Sequence, residues 1–193
     1  MTKFKKLQIN TKNAEILWKE TEGIAPSNVT QKLEKAMLNW TVELTECLSI
    51  WLEKGLSMSD GELILARVNL GTIVESWFKL FYCVHYNDYL KKPQKNKNKI
   101  IEPNNMTLET LKKFSIGPLF DSELDNTYIW IDKIQKQRNA IHAFNLKEIG
   151  TPQEFIDDVN LLSDFVDKIV LQLPDLEEAL GYLPEGYETI LPF

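Results

Sequence analysis

The strongest constraint on the fold of this 193-residue chain is the spacing of its apolar residues, which recur every three or four positions through most of its length. That spacing gathers them on one face of an α-helix, whereas a half-buried β-strand requires alternation at every second residue. Glycine and proline occur eight times each and fall between the periodic segments. The pattern therefore predicts an all-α fold, a helical bundle of four or five principal helices with short accessory helices.

The limits of the individual helices follow from residues that commonly begin or end helices. Gly55 and Pro174 are typical helix breakers, and Thr151, Pro152 and Glu154 form an N-cap, an N1 proline and a capping-box acid. The predicted helices span 13–20, Ser27 to about Lys54, Ser59 or Asp60 to about Leu90, Thr107 to about Phe114, Ser122 to Ala143 or Phe144, Thr151 to about Leu173, and Asp175–Leu180.

The whole chain, residues 1–193, is the length of one domain and can bury a core without metals or disulfides. Within this single domain, three segments are distinguished from the principal helices: an N-terminal extension over 1–26, a lysine-rich loop over 91–106, and a C-terminal tail over 174–193 that is expected to run over the body. The loop contains five closely spaced lysines: Lys91, Lys92, Lys95, Lys97 and Lys99. They favour either a solvated loop or a loop that contacts phosphate.

The net charge of −6 is unevenly distributed along the chain. Residues 151–193 hold ten acids and one base, a net of −9, so residues 1–150 carry a net of +3. The acids after Thr151 are expected to form the solvated face of an amphipathic helix. Nonspecific nucleic-acid binding requires a basic face, and the bulk charge gives no support for one. A local basic surface within the first 150 residues remains compatible with these numbers.

Several classes of protein and site are not supported by the sequence. No apolar run approaches eighteen residues and no secretion signal begins the chain, so we expect a cytoplasmic protein with no membrane association. Cys47 and Cys83 are too few for a disulfide framework, and both are expected to be buried free thiols. Two histidines and two cysteines, far apart, argue against a metal cage, and no glycine-rich phosphate loop is present. No cofactor or metal is therefore expected.

One arginine and one histidine are the best candidates for chemistry, because the chain has only two of each: Arg67 and Arg138, and His85 and His142. Arg138 and His142 are four residues apart in one predicted helix, where both point into the middle of its apolar stripe. A buried arginine needs a partner, and Glu75 in the middle of the central predicted helix is the best candidate. Gly71, one turn earlier, allows another backbone to approach closely.

These residues resemble a known signature. The run Arg138-Asn139 followed by His142 at the end of a bundle helix is similar to that of HEPN domains. In these all-α proteins an arginine, often followed by a polar residue such as asparagine, precedes a histidine by four to six intervening residues. Gly71 and Glu75, four apart in a long helix, also resemble a feature of several HEPN-like branches.

The resemblance covers roughly residues 59–173, and the chain departs from the pattern twice. Only three residues separate Arg138 from His142, one fewer than the usual minimum. In one toxin branch a tyrosine, two positions after the histidine, is modified with adenylate by its antitoxin. Phe144 stands there and has no hydroxyl, so that form of control cannot act on this chain.

The resemblance implies a bundle that forms a homodimer and brings two Arg/His pairs to one cleft. Many members of the family are metal-independent endoribonucleases of toxin–antitoxin or phage-defence systems. The expected substrate is then RNA, and an antitoxin or another defence-system protein is an expected partner. Other members are non-catalytic RNA-binding or protein-interaction modules, and that reading stays open here.

The chemistry expected of each residue follows from its functional group. Histidine titrates near neutral pH, so His142 is expected to transfer protons during RNA cleavage. Arginine stays cationic and binds phosphate through two donors, which makes Arg138 a phosphate clamp. Asn139 is expected to orient phosphate or to cap a neighbouring helix, and Glu75 is expected to support Arg138. The alternative is that Arg138, Glu75 and His142 form a satisfied polar cluster that only fixes helix register.

Overall fold

A computed structural model describes residues 1–19, 21–142, 144, 146–176 and 180–190. The fold is an all-α helical bundle, as predicted. The α-helices of the described residues are α1 (Lys3–Lys19), α2 (Ser27–Leu33), α3 (Leu38–Lys54), α4 (Asp60–Val84), α5 (Tyr86–Tyr89), α6 (Leu108–Phe114), α7 (Asn126–Arg138) and α8 (Pro152–Val170). Short 3-10 turns cover Gly55–Ser57, Pro103–Asn105 and Asn139–His142. The strands β1 (Lys95–Asn96) and β2 (Lys99–Ile100) form an antiparallel hairpin.

Helix α4 is the centre of the bundle, because it packs against α3, α7 and α8. Its apolar residues Leu70, Ile73, Val74 and Phe78 are completely buried. Apolar residues on more than one side of the helix allow it to be packed from several directions. Helix α1 closes the bundle by packing on α3 and α8. No helix of the described residues is long and apolar enough to cross a bilayer.

Three of the predicted helix starts are confirmed, and each is capped by a side chain. Ser59 accepts the backbone N–H of Glu62, whose carboxylate returns to Ser59, and this capping box begins α4. Thr107 caps α6, and Thr151 begins α8 with a second capping box. Gly55 ends α3 with a positive φ of 54°, a conformation that costs a glycine little.

The predicted helix over Ser27 to Lys54 is wrong, because the chain turns at 34–37 and forms α2 and α3 instead. No glycine or proline marks that turn. It lets α2 pack on α4 and α5 while α3 packs on α1 and α4. The short helix predicted over 13–20 is in fact the end of the longer α1, and residue 20 lies outside the described residues.

Helix α1 was hard to predict because polar residues interrupt its apolar pattern. Asn10, Thr11 and Asn13 are buried, and each is satisfied by a hydrogen bond. Asn10 donates to the carboxylate of Asp167 on α8, and Asn13 exchanges hydrogen bonds with the backbone of Glu188. The predicted tail therefore lies over the body in its described part, against α1.

The helix that carries Arg138 is shorter than predicted. It begins after Asp125, which caps α7, and not at Ser122. Its α-helical part ends at Arg138 and continues as the 3-10 turn Asn139–His142. The predicted end at Ala143 lies outside the described residues, whereas Phe144 is described and is 95% exposed.

Three other expectations are settled by the described residues, and a fourth lies partly outside them. The helix predicted to reach Leu90 breaks at His85, which separates α4 from α5. The lysine-rich loop contains the β1–β2 hairpin, whose turn places Lys97 and Asn98 at positive φ. Cys83 is buried as expected, but Cys47 is exposed. In the helix predicted over Asp175–Leu180, residues 177–179 lie outside the described part of the chain.

Candidate functional site

Glu75 and Arg138 form an ion pair between α4 and the end of α7. The Arg138 Nη1 group donates to Glu75 Oε2 at 2.5 Å and to the Gly71 carbonyl at 3.4 Å. Glu75 Oε1 accepts a hydrogen bond from a second cation, the Lys79 ammonium, at 2.7 Å. The predicted pairing is therefore present. The group that packs closely on Gly71 is the Arg138 side chain, and not a neighbouring backbone as expected.

The pair lies at the edge of the core and is not sealed inside it. The Arg138 side chain is 28% exposed and that of Glu75 is 17% exposed. Burial raises the pKa of the Glu75 carboxyl, but the hydrogen bonds from Lys79 and Arg138 outweigh burial, and the net pKa is lowered. Only Nη1 of Arg138 makes hydrogen bonds with described residues, which leaves Nε and Nη2 as unused donors.

His142 lies where the helical geometry changes, and the predicted position of its side chain is wrong. A 3-10 helix turns about 120° per residue, so four such steps rotate His142 about 120° from Arg138, compared with about 40° on an α-helix. The residue is exposed and does not point into an apolar stripe. Its ring makes no hydrogen bond or ion pair with any of the described residues.

Asn139 is not brought into the Glu75–Arg138 pair. It is exposed and caps α7 through its backbone N–H. Its side chain borders a separate cleft of about 410 Å³, together with Lys136 and Lys147. Among the described residues, no hydrogen bond joins Asn139 to the side chain of Arg138, so the expected supporting role of Asn139 is not supported by a contact.

The other arginine, Arg67, anchors a polar cluster that has a fully buried ion pair at its centre and that was not predicted from the sequence. Arg67 pairs with Asp158 of α8, and the two side chains are 0% and 1% exposed. Asp158 Oδ1 also accepts Trp130 Nε1 at 2.9 Å and Lys133 Nζ at 2.6 Å. The remaining Arg67 donors reach two backbone carbonyls of the loop before α8, Ile149 at 3.1 Å and Thr151 at 3.5 Å.

A signal for this cluster was present in the sequence. Asp158 lies three residues after Phe155 and four before Leu162, within the apolar stripe of its helix. The acids after Thr151 were all expected to form a solvated face, and for Asp158 that expectation is wrong. A carboxylate on an apolar stripe needs a buried cation, and Arg67 supplies it.

The other histidine, His85, is held by its neighbours. Its Nε2 is 3.0 Å from the Gln172 carbonyl, and its Nδ1 is 3.9 Å from the carboxylate of Asp88. Nearby Cys83 is buried, and burial raises the pKa of its thiol to about 11. A nucleophilic thiolate is therefore disfavoured at Cys83.

The two arginines and the two histidines thus divide into satisfied and unsatisfied members. The polar side-chain atoms of Arg67 and His85 contact protein partners. Nε and Nη2 of Arg138 and the ring nitrogens of His142 have no hydrogen-bond partner among the described residues. The unsatisfied members are the two that lie four residues apart. Among the described residues, no three His, Cys, Asp or Glu side chains converge in a way that could hold a metal ion.

No protein-family model, curated protein sequence or solved structure matches the chain. The HEPN resemblance therefore stands on the short run from Arg138 to His142 and on Gly71 and Glu75.

Proposed function

We propose that the chain is a HEPN-like, metal-independent endoribonuclease in which Arg138 binds phosphate and His142 transfers protons. The observation that carries the proposal is the pair of unused functional groups on these two residues. Arg138 is fixed by Glu75 through one nitrogen, and its other donors stay available for a phosphate. Neither ring nitrogen of His142 is hydrogen-bonded to a described residue, whereas the ring of His85 lies against the Gln172 carbonyl.

The proposed reaction is an internal transesterification. A neutral imidazole of His142 takes the proton of the ribose 2′-hydroxyl, and the 2′-oxygen attacks phosphorus. The bond from phosphorus to the 5′-oxygen breaks, and an imidazolium returns a proton to that oxygen. Arg138 stabilises the charge on the equatorial oxygens through its free Nε and Nη2 donors. The products are a 2′,3′-cyclic phosphate and a 5′-hydroxyl.

A homodimer is part of this proposal. Exposed apolar side chains flank His142, with Ile141 45%, Phe144 95% and Leu146 101% exposed. Contiguous exposed apolar residues are typical of an interaction surface. Two copies that meet there bring two arginines and two histidines together, so that one His142 acts as base and the other as acid.

In the cell, the proposed role is that of a toxin or a phage-defence effector. The HEPN resemblance supports this role, and an antitoxin or another defence-system protein is the proposed partner. Phe144 implies that such a partner acts by binding, because the chain offers no tyrosine hydroxyl at that position for adenylate modification.

The experiment is incubation of the purified protein with labelled structured and single-stranded RNAs, with and without EDTA. We expect cleavage that persists in EDTA and products that end in a 2′,3′-cyclic phosphate. His142→Ala should abolish cleavage without loss of helical content, because alanine removes the titrating group and favours helix. Arg138→Lys should also abolish it, because an ammonium lacks the paired donors.

Lys19→Ala is a suitable control, since Lys19 is exposed on α1, and it should cleave like the parent. Cleavage that survives in His142→Ala would assign the activity to another site or to a contaminant. Absence of cleavage by the parent across the RNA panel, together with no toxicity on expression, would contradict the nuclease.

A second candidate function is a non-catalytic RNA-binding or protein-interaction module of the same fold. The end of α7 at Arg138 favours it, because the following 3-10 turn directs His142 away from the arginine. The acidic net charge of −6 also favours a protein partner over RNA. For this candidate, we expect a stable complex with a second protein and no RNA cleavage.

A further inference from the structure

A second cleft lies at the far end of the central helix from the loop that anchors Arg67. It has a volume of about 690 Å³ and is bordered by the ends of α4 and α6, by α5 and by the segment that enters the hairpin. We call it the aromatic cleft, after the rings of Phe81, Tyr82, His85, Tyr89 and Phe114 that line it. Its volume is in the range of about 300–1,000 Å³ that small-molecule sites occupy.

The rings of the aromatic cleft form a continuous packed wall. The Phe114 ring lies 5.3 Å from Tyr82 and 5.4 Å from Tyr89, centroid to centroid, with edge-on geometry. His85 packs on Phe81 at 4.7 Å. Phe114 and His85 are partly exposed, so these two rings present surface to the cleft. Such surfaces accept a flat ring by stacking.

The hairpin beside this wall is held against it by hydrogen bonds. Tyr89 Oη accepts the backbone N–H of Gln94 at 3.0 Å and donates to the Ile101 carbonyl. These two residues lie immediately before and after the hairpin. The base of the hairpin is therefore held beside the wall by a buried tyrosine, and its lysines lie on the strands and turn that continue from there.

The charge at this end of the molecule is opposite to that of the whole chain. Residues 88–113 contain seven lysines and three acids, a net of +4, whereas the chain has a net charge of −6. Four of these lysines are exposed and form no ion pair with the described residues: Lys92, Lys95, Lys97 and Lys99. Unpaired ammonium groups beside an open cleft attract an anionic ligand.

We propose that the aromatic cleft binds a nucleobase by stacking, while the lysines of the adjoining hairpin bind its phosphates. Stacking surfaces next to cations are the general means by which proteins bind single-stranded nucleic acid without reading its sequence. The same chemistry fits a free nucleotide, and the experiment below separates the two sources. The proposal does not depend on cleavage by His142.

This cleft is a different site from the Glu75–Arg138 pair. His85 follows Glu75 by ten residues along α4, which is about 15 Å at the rise of an α-helix. A single RNA strand is long enough to occupy both regions at once. A free nucleotide would occupy the aromatic cleft alone.

The test measures binding to the full chain carrying His142→Ala, so that no probe is cleaved. Two probes are fluorescein-labelled RNA strands, octauridylate and octaadenylate, whose binding is measured by fluorescence anisotropy. The other two are unlabelled AMP and UMP, whose binding is measured by calorimetry. Lys92→Ala/Lys95→Ala should weaken RNA binding and flatten its dependence on log salt by about 1.4, since each phosphate contact to a single strand contributes about 0.7. The matched control is Lys5→Ala/Lys19→Ala, which removes two exposed lysines of α1.

A second pair of variants tests the stacking wall. Phe114→Leu keeps an apolar side chain but removes the ring, and it should weaken binding about fivefold or more. Phe4→Leu is the control, because Phe4 is also partly buried but lies on α1. Circular dichroism melting checks that both variants are folded. If either variant is not folded, the comparison of Lys92→Ala/Lys95→Ala with Lys5→Ala/Lys19→Ala still tests the site.

The outcomes separate the sources of the ligand and can reject the site. RNA binding that is weakened only by the cleft variants supports a strand, and nucleotide binding weakened by the same variants supports a free nucleotide. Absence of binding by every probe would overturn the proposal. Equal effects of the cleft variants and their α1 controls would also overturn it.

Discussion

The side chain of Arg138 packs directly over the α-carbon of Gly71, and a methyl group at that position would lie 2.7 Å from Arg138 Cδ and 3.1 Å from Arg138 Cβ. Both are atoms of the aliphatic stem, and Cβ is bonded directly to the α-carbon, so the arginine cannot avoid the methyl group by moving only its guanidinium. We expect Gly71→Ala to destabilise the fold by about 1–3 kcal/mol through overpacking, measured by urea unfolding. Any RNA cleavage should fall about tenfold or more, because the guanidinium must move.

The control for this substitution is in the same helix. Gly61→Ala adds a methyl group in the first turn of α4, where nothing lies within 4 Å. It should leave stability unchanged or raise it by about 0.5–1 kcal/mol, since alanine favours helix. If the two alanine variants behaved alike, the close packing at Gly71 would be unimportant.

The two arginine ion pairs should differ in their contributions to stability. Asp158→Ala leaves Arg67 as an uncompensated charge in a fully buried site, and the free energy of unfolding should fall by about 3–5 kcal/mol. Glu75→Ala removes a partner from the 28% exposed Arg138, which water can reach, so the loss should be about 1–2 kcal/mol. Chemical denaturation of both variants measures the difference, and a larger loss for Glu75→Ala would contradict the assignment.

The lowered pKa of Glu75 predicts a dependence of stability on pH. Burial opposes ionisation, but hydrogen bonds from Lys79 and Arg138 keep the folded-state pKa below the ordinary value of 4.5. As the pH falls, the unfolded chain takes up the proton first, so the stability from Glu75 is complete above that value and is lost below it. Glu75→Gln cannot titrate, and its deficit in unfolding free energy should shrink from about pH 6 to about pH 3. A constant deficit would contradict this account.

The exposed apolar residues beside His142 predict a dimer. Light scattering at micromolar concentration should give twice the monomer mass of 22.4 kDa. Phe144→Asp should convert the dimer to a monomer, because it places a charge in the proposed contact. Leu124→Asp changes another highly exposed leucine, at 82%, away from that surface, and it should leave the dimer intact. A parent protein that is already a monomer would reject the shared cleft.

The sequence predicted those parts of the fold that depend on local patterns. Ser59, Thr107 and Thr151 mark helix starts by their own side chains, so α4, α6 and α8 were placed within a residue or two. The break between α2 and α3 has no such marker, because the packing of the two helices on different partners determines it.

The same distinction applies to the candidate site. The pairing of Glu75 with Arg138 was predictable, since a cation on an apolar face requires a partner and Gly71 marks a close approach. The orientation of His142 was not, because a regular helix was assumed beyond Arg138 and the chain tightens into a 3-10 turn. The hairpin was missed because Lys97 takes a positive φ that a lysine rarely adopts.

The buried cluster around Arg67 has a consequence for genetics. Arg67 binds the carbonyls on both sides of Gly150, so it ties the central helix to the first turn of α8. If expression of the chain is toxic, as the proposed function requires, a selection for survivors should recover substitutions at both Arg67 and Arg138. Loss at Arg67 would remove the protein from the cell by unfolding, whereas loss at Arg138 would leave an abundant and inert one. Immunoblotting of the survivors measures how much protein remains. It would therefore distinguish an arginine needed for stability from one needed for activity, without purification of either variant.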